Sequence, residues 1–243
     1  MTPDASVALV VAVLFLGAIA HSSVGFGGAL LAMPLLALLI DIPTATPLVA
    51  LSMLTTVGIL LANTWRHVAF ASTWRLLGAT AVGIPVGLVM LRTAPPTLVR
   101  VVLGVVLVAY ALYNLARPTL PTVAARPWAY VLGFVAGVLG GAYNTNGPPI
   151  VLYGALQRWP RERFRATLQG YFLPATVLTC AGHAAGGLWT FRVWHLYLLS
   201  VPLVLLGIYL GTRINGRIPE ERFSRFLHGA LVVMRALLLI SAP

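Results

Sequence analysis

The sequence predicts an all-α, polytopic membrane protein, and three observations lead to that fold class. The 243 residues are 59% hydrophobic and only 9% charged, whereas a soluble domain carries about 25% charged residues. Runs such as 101–115 and 196–210 contain no Asp, Glu, Lys or Arg, and with their flanks they reach the roughly 17–25 apolar residues that span a bilayer. All sixteen basic residues are arginines, nearly all in or beside the short connections between apolar runs.

Ten apolar segments follow one another, separated by short stretches that contain Gly, Pro or charged residues. The first five are residues 5–20, 24–40, 45–62, 74–91 and 98–115. The other five are residues 128–139, 148–156, 166–181, 194–211 and 223–240. Between the two sets lies a connection at 116–127 with three prolines and two arginines. The chain therefore divides into two halves of five segments each.

The two halves resemble each other at a constant offset of 120 residues. Glycine and tryptophan matches are the most informative in so apolar a chain, and they include Gly17 with Gly137, Gly27 with Gly147, Trp74 with Trp194 and Gly87 with Gly207. Thr56 and Val57 also align with Thr176 and Val177. We therefore predict an internal duplication, with a first repeat at 1–115, a linker at 116–127 and a second repeat at 128–243.

The arginine distribution predicts how the repeats are oriented. An odd number of crossings in each half makes the repeats inverted, and this topology places twelve arginines on one face and three on the other. The positive-inside rule then puts the arginine-rich face in the cytoplasm and both termini outside the cell membrane. If the first two segments of each half instead form one broken crossing, the repeats are parallel and the ratio falls to ten to five. The arginine pattern does not favour a nucleic-acid partner, despite the net charge of +11.

Two polar segments interrupt apolar sequence at equivalent places in the halves. They read "AHSSVGFGGA" at 20–29 and "GGAYNTNGPP" at 140–149. Non-helical backbone at membrane depth is tolerated only where protein or a water-filled cavity satisfies its amides. Matched Gly/Pro interruptions in two halves point to the binding site of a transporter. The alternative is that both segments serve tight, glycine-rich helix packing.

The residue types in these segments favour a small anion as the ligand. Helices should restart near Gly28 and Pro148, and two facing helix starts would offer unpaired amides and partial positive charge to an anion. No Asp, Glu or Lys lies within an apolar segment, so the carboxylates that a cation site would need are missing. His21 could contact the substrate or take up a proton, or it could cap the first segment. Gln169 or Thr179 could line a path, although intramembrane Gln and Thr more commonly bond to neighbouring helices. The predicted substrate-binding residues are His21, Ser22, Ser23, Gly25, Gly27, Gly28, Asn144, Thr145, Asn146, Gly147, Pro148 and Gln169.

The two polar segments resemble the paired signature of the TauE/SafE sulfite exporter family of membrane permeases. The resemblance spans nearly the whole chain and is carried by "HSSVGFGGALLAMPLLALL" and "GFVAGVLGGAYNTNGPPIVLYGALQRW". It implies transport of small sulfur-containing or organic anions such as sulfite, sulfonates or sulfoacetate, with export as the expected direction. Ala29 stands where the family often has a further glycine.

Two other classes of function remain open at this stage. In a membrane-embedded enzyme, His21 and Ser22 or Ser23 would supply a base and a nucleophile, although no carboxylate is positioned to orient the histidine. A non-transporting membrane scaffold would leave the two matched polar segments without a purpose. We expect no metal site, since no pair of histidines has a ligand spacing, and no cofactor. The oligomeric state stays open.

Overall fold

The computed structural model describes residues 3–64, 70–95, 97–98, 101–106, 109, 125–157 and 161–214. This part of the chain contains helices and no strands. The helices with defined bounds are α1 (Pro3–Val24), α2 (Gly28–Leu39), α3 (Ile42–Thr64), α4 (Phe70–Thr93), α5 (Ala125–Tyr143), α6 (Gly147–Leu156), α7 (Arg161–Ala185) and α8 (Phe191–Ile214). The predicted all-α class is confirmed.

Four of these helices, α1, α3, α4 and α8, are long and apolar enough to cross a membrane. The shorter apolar helices are α2, most of α5, and α6. Side chains such as Val82, Val105 and Leu198 are more than half exposed, as expected for a surface that faces lipid tails. The protein is therefore a multi-pass membrane protein.

The order of helices in the first half recurs in the second. Helices α5 to α8 lie about 120 residues after α1 to α4, and α4 packs on α5 as α8 packs on α1. The fifth predicted segment is described only in part, with helical residues at 101–106 and 109. The tenth segment, most of the linker and the boundary at 115 lie outside the described residues, and residue 128 lies within α5, which begins at Ala125. The division of the chain into two repeats stays a prediction.

Glycine contacts give the relative direction of neighbouring helices. On α5, Gly133 meets Leu76, and Gly141 meets Ile84 and Leu88. The residue numbers of the contacting positions increase together along the two helices, so α4 and α5 run in the same direction. The same reasoning makes α1 and α8 parallel, since Gly207 meets Phe15 and Ala18 while Gly211 meets Ile19 and Ser22.

Helices α1 and α2 form an antiparallel hairpin and not one broken crossing. Gly17 on α1 lies against Gly28 and Ala32 on α2, and Gly28 also lies against His21. Residues so far apart in sequence could not touch if α2 continued the line of α1. Helix α2 has 12 residues and α6 has 10, or about 18 and 15 Å, about half of the hydrocarbon thickness. The second members of both pairs are thus half-length helices.

The helices before the two interruptions continue further than the sequence predicts. Helix α1 extends to Val24 and α5 to Tyr143, so His21, Ser22 and Ser23 occupy a last helical turn. Gly140 and Gly141 of the second polar segment stay helical, and at Gly141 the absence of a side chain lets two helix backbones approach closely. Gly141 packs directly against the backbone oxygen of Ile84 on α4. Within the two polar segments, the backbone is non-helical only at residues 25–27, which we call the first turn, and at residues 144–146, which we call the second turn.

Candidate functional site

The first turn is built on left-handed glycines. Gly25 has φ 94° and Gly27 has φ 92°, a region that side-chain-bearing residues rarely adopt. The Gly25 amide donates to the His21 carbonyl at 2.7 Å, which caps α1. From α7, the side-chain amide of Gln169 donates to the Gly25 carbonyl at 2.9 Å. Gln169 therefore fixes the first turn by bonding to its backbone.

The second turn uses an asparagine for the same conformation. Asn144 has φ 53°, the single positive φ of a non-glycine residue in the described part of the chain. Its amide donates to the Gly140 carbonyl at 2.8 Å, and the next amide, of Thr145, donates to the Leu139 carbonyl at 3.2 Å. Asparagine tolerates the left-handed region better than most residues, and helices commonly end on such a residue. Asn144 thus has a structural role as the cap of α5.

Both turns border one cavity, which we call the central pocket. Its other walls come from Met53 and Val57 on α3 and from Phe172 and Thr176 on α7. These residues lie near the middle of α3 and α7, so the pocket lies about halfway along the two helices. The complete lining is His21, Gly27, Ala29, Leu30, Met53, Val57, Asn144, Thr145, Asn146, Gly147, Phe172 and Thr176.

The central pocket is lined by polar groups without a carboxylate or a guanidinium among them, and several have no hydrogen-bond partner. The imidazole Nε2 of His21, the Thr145 hydroxyl and the side-chain Nδ2 of Asn146 are all buried without one. The His21 ring meets Phe172 edge-on, with ring centroids 5.7 Å apart. No residue of the lining is Asp, Glu, Lys or Arg. Leaving buried polar atoms unpaired costs about 1–3 kcal/mol each, so these groups are suited to a polar ligand.

The central pocket is small. Its volume is ≈ 20 Å³, and a single water needs about 10–15 Å³ on the same measure. A compact group fits such a space better than a long organic molecule does.

The two helix starts at the pocket differ in the donors that they offer. In α2 the first internal bond runs from Leu31 to the Gly27 carbonyl, so the three amides before Leu31 have no partner within the helix. In α6 the residues after Gly147 are Pro148 and Pro149, which have no amide hydrogen. Compared with the start of α2, the start of α6 therefore offers fewer backbone donors. There, the side chains of Thr145 and Asn146 provide polar groups in place of the missing amides.

Half of the predicted site residues line the central pocket: His21, Gly27, Asn144, Thr145, Asn146 and Gly147. The other six do not: Ser22, Ser23, Gly25, Gly28, Pro148 and Gln169. Ser23 donates its hydroxyl to the Ile19 carbonyl at 2.7 Å, and Ser22 lies against Gly211 on α8. Gly28 packs against α1. The side chains of Ser22 and Ser23 follow His21 in sequence but point away from the pocket, because successive helical residues face different directions.

Sequence reasoning missed the walls that α3 and α7 contribute. Thr176 was visible only as a repeat match to Thr56, which lies in the equivalent place on α3. The hydroxyl of Thr56 donates to the Ser52 carbonyl at 2.8 Å, whereas Thr176 lines the pocket. Met53 and Phe172 carried no signal, since apolar residues in a membrane helix are the expected default. Among the described residues, no cluster of His, Cys, Asp and Glu could hold a metal ion.

The fold and the pocket define a class of protein: a helical, multi-pass membrane protein with a neutral polar site enclosed between two matched turns. Within that class, the chain belongs to the family described as Sulfite exporter TauE/SafE, whose model matches residues 9–238. No curated protein matches the chain, and no solved structure does. Family membership implies membrane transport of sulfite or a related small anion, so the class is a transporter.

Proposed function

We propose that this protein is a secondary transporter or facilitator that exports sulfite, and more weakly sulfonates or sulfoacetate, across the cell membrane. The binding site in this proposal is the central pocket. The observation that carries it is the meeting of the two turns, one from each half, around buried polar groups without partners. Discontinuous helices whose ends meet between repeats are the usual site of a secondary transporter.

The chemistry of the pocket supports an anion as the substrate. The start of α2 directs three amides and the positive end of its dipole toward the first turn. Thr145 and Asn146 supply a hydroxyl and an amide from the second turn. A cation would meet these donors without a carboxylate to balance its charge. A zwitterion such as taurine would bind weakly, because nothing in the lining pairs with its ammonium group.

The size of the pocket supports sulfite over the larger candidates. Sulfoacetate and taurine are longer than sulfite by a two-carbon chain, so in a cavity of ≈ 20 Å³ they require a larger displacement of the walls. We therefore expect sulfite to compete best, sulfoacetate less well and taurine least.

The proposed function is tested by flux into proteoliposomes. The purified protein should carry sulfite, and excess sulfoacetate should inhibit that flux more than excess taurine does. Equal inhibition by taurine would contradict selection by neutral donors. Hydrolysis of a sulfonate or sulfate ester by the same preparation would instead favour the enzyme alternative. Absence of flux for every anion offered would favour the scaffold.

The proposed orientation has its own test. The ion pair between Asp41 and Arg192, at 3.5 Å, joins the starts of α3 and α8 on the face that we assign to the outside. In a Cys180→Ala background, Thr190→Cys should react with an impermeant thiol reagent added outside intact cells, and Gln157→Cys should react only after permeabilisation. The reverse labelling pattern would invert the assignment.

A further inference from the structure

Helix α7 carries a continuous polar stripe toward the interior of the bundle. Residues spaced by three and four share one face of a helix, and this face carries the polar residues Gln169, Thr176, Thr179 and His183, with Phe172 between the first two. Thr179 and His183 are fully buried, while Val177 and Leu178 on the opposite side are 48% and 39% exposed. The helix therefore directs polar residues inward and apolar residues outward.

Part of this stripe has no structural partner. Thr176 lines the central pocket, but the Thr179 hydroxyl lies beyond the lining, buried and without a hydrogen bond. A buried hydroxyl on a membrane helix ordinarily bonds to a neighbouring helix or to its own backbone. Thr56 and Thr80 do so in this protein, by donating to the Ser52 and Gly133 carbonyls. Thr179 does neither, so packing does not account for it.

Gly140 on α5 is a second feature that packing does not explain. A Cβ atom placed on Gly133, Gly137 or Gly141 would collide with the backbone of α4, so helix contact requires glycine there. A Cβ atom on Gly140 would meet nothing nearer than 3.5 Å, where its neighbours would be the Asn146 Cβ and the Thr179 hydroxyl. The absent side chain thus leaves a gap the size of one methyl group between a pocket residue and the unpartnered hydroxyl.

We propose that a second anion-binding position lies beside the central pocket, between the Asn146 amide, the Thr179 hydroxyl and the bare backbone of Gly140. The proposal rests on the transport function proposed above, and adds the route by which the anion leaves the pocket along α7. The Asn146 Nδ2 atom would lie 3.9 Å from a Cβ on Gly140 and has no partner of its own. An anion could therefore pass from Asn146 to Thr179 without losing all its donors.

His183 is the next polar residue along the same face, and its ring nitrogens indicate which protonation state of the anion suits the route. Its Nε2 atom lies 2.9 Å from the Gly141 carbonyl oxygen. A carbonyl only accepts, so Nε2 carries a hydrogen, and Nδ1 is available as an acceptor when the ring is neutral. Nδ1 is buried without a partner. A donor at Thr179 followed by an acceptor at His183 matches an oxyanion that retains one O–H group, such as hydrogensulfite.

The test compares sulfite flux and equilibrium sulfite binding in variants along the route. Thr179→Val keeps the shape of the side chain and removes only the hydroxyl, and Gly140→Ala adds one methyl group to the open space. Both should lower maximal flux about tenfold or more. For Thr179→Val, equilibrium binding at the central pocket should stay within about twofold of wild type.

Matched controls separate this route from damage to the fold. Gly58→Ala adds a methyl group where nothing lies within 4 Å, and Thr56→Val removes a buried hydroxyl whose partner is on its own helix; both should transport normally. Wild-type rates in Thr179→Val and Gly140→Ala would overturn the second position alone. No sulfite flux in the wild-type protein would overturn the transport function and this proposal with it. If Gly140→Ala lowers the melting temperature, Thr179→Val decides.

Discussion

The first and second turns end equivalent helices in the two halves, yet they are made from different chemistry. The first turn reaches its left-handed conformation with Gly25 and Gly27, and the second with Asn144. After the first turn, α2 begins with three amides that have no helical partner, whereas α6 begins with two prolines. The first turn therefore offers backbone donors, and the second offers the side chains of Thr145 and Asn146.

This difference explains how a symmetric plan can hold an asymmetric ligand. A pocket built from two identical turns would present the same donors from both sides. Here one wall offers backbone amides at the start of α2, and the other offers the side chains of Thr145 and Asn146. On α7 the polar stripe continues beyond Thr176 to Thr179 and His183. At the offset of 120 residues, the corresponding positions on α3 are Ile59 and Asn63. We infer that the second half holds more of the substrate contacts than the first.

The largest expected effect is the difference between alanine substitutions at the start of α2 and at the start of α6. Gly28→Ala would place a Cβ atom 2.5 Å from the Gly17 carbonyl oxygen and 2.9 Å from the His21 Cβ, which forces the first hairpin apart. We expect a loss of about 1–3 kcal/mol of stability, seen as a lower melting temperature in detergent, and loss of transport. Gly147→Ala is the matched change at the start of α6, where the nearest atom is the Phe172 Cζ at 3.9 Å.

Gly147→Ala should therefore keep the melting temperature of the wild-type protein. Its added methyl group narrows the central pocket, so sulfite affinity should fall roughly tenfold or more. Equal stability of the two alanine variants would mean that the starts of α2 and α6 are packed alike, contrary to the structure.

An intermediate effect is expected from the side chains of the second turn. Asn146→Ala removes a buried donor, and a hydrogen bond to a charged partner is worth about 1.5–3 kcal/mol, or roughly ten- to a hundredfold in sulfite affinity. Ser23→Ala is the control from the first polar segment, because its hydroxyl donates to the Ile19 carbonyl and lies outside the pocket lining. Sulfite titration of both purified variants gives the comparison. Equal affinities would remove the second turn from the site.

The smallest expected effect tests the two ways of making a left-handed cap. Asn144→Gly keeps the backbone conformation available, whereas Asn144→Ala places an unsuited residue at φ 53°. The alanine variant should be less stable than the glycine variant by about 1–2 kcal/mol, measured from thermal unfolding in the same detergent. Both variants lose the Asn144 side chain, so a difference in stability between them reflects the backbone conformation at residue 144 and not the loss of the side-chain amide. Indistinguishable melting curves would contradict the left-handed cap.

Much of the architecture could be predicted because it depends on local sequence. Apolar runs of sufficient length identify membrane helices, and the matched polar segments at 20–29 and 140–149 identify where helices stop. The predicted restarts near Gly28 and Pro148 agree with helices that begin at Gly28 and Gly147. The helix ends before the turns could not be placed as well, since glycine and asparagine are compatible with both a helix and its cap.

The sequence by itself determined that this is a helical membrane protein and that each half carries one polar segment between its first two apolar runs. It also determined that these two polar segments lack carboxylates. Those properties are set by composition and by neighbours along the chain. Only the tertiary structure decided which side chains face the central pocket. Ser22 and Ser23 directly follow His21 yet turn away from it, while Met53 and Phe172 reach the pocket from other helices. The direction of a helical side chain depends on which face its neighbours cover, and packing between distant segments fixes that face.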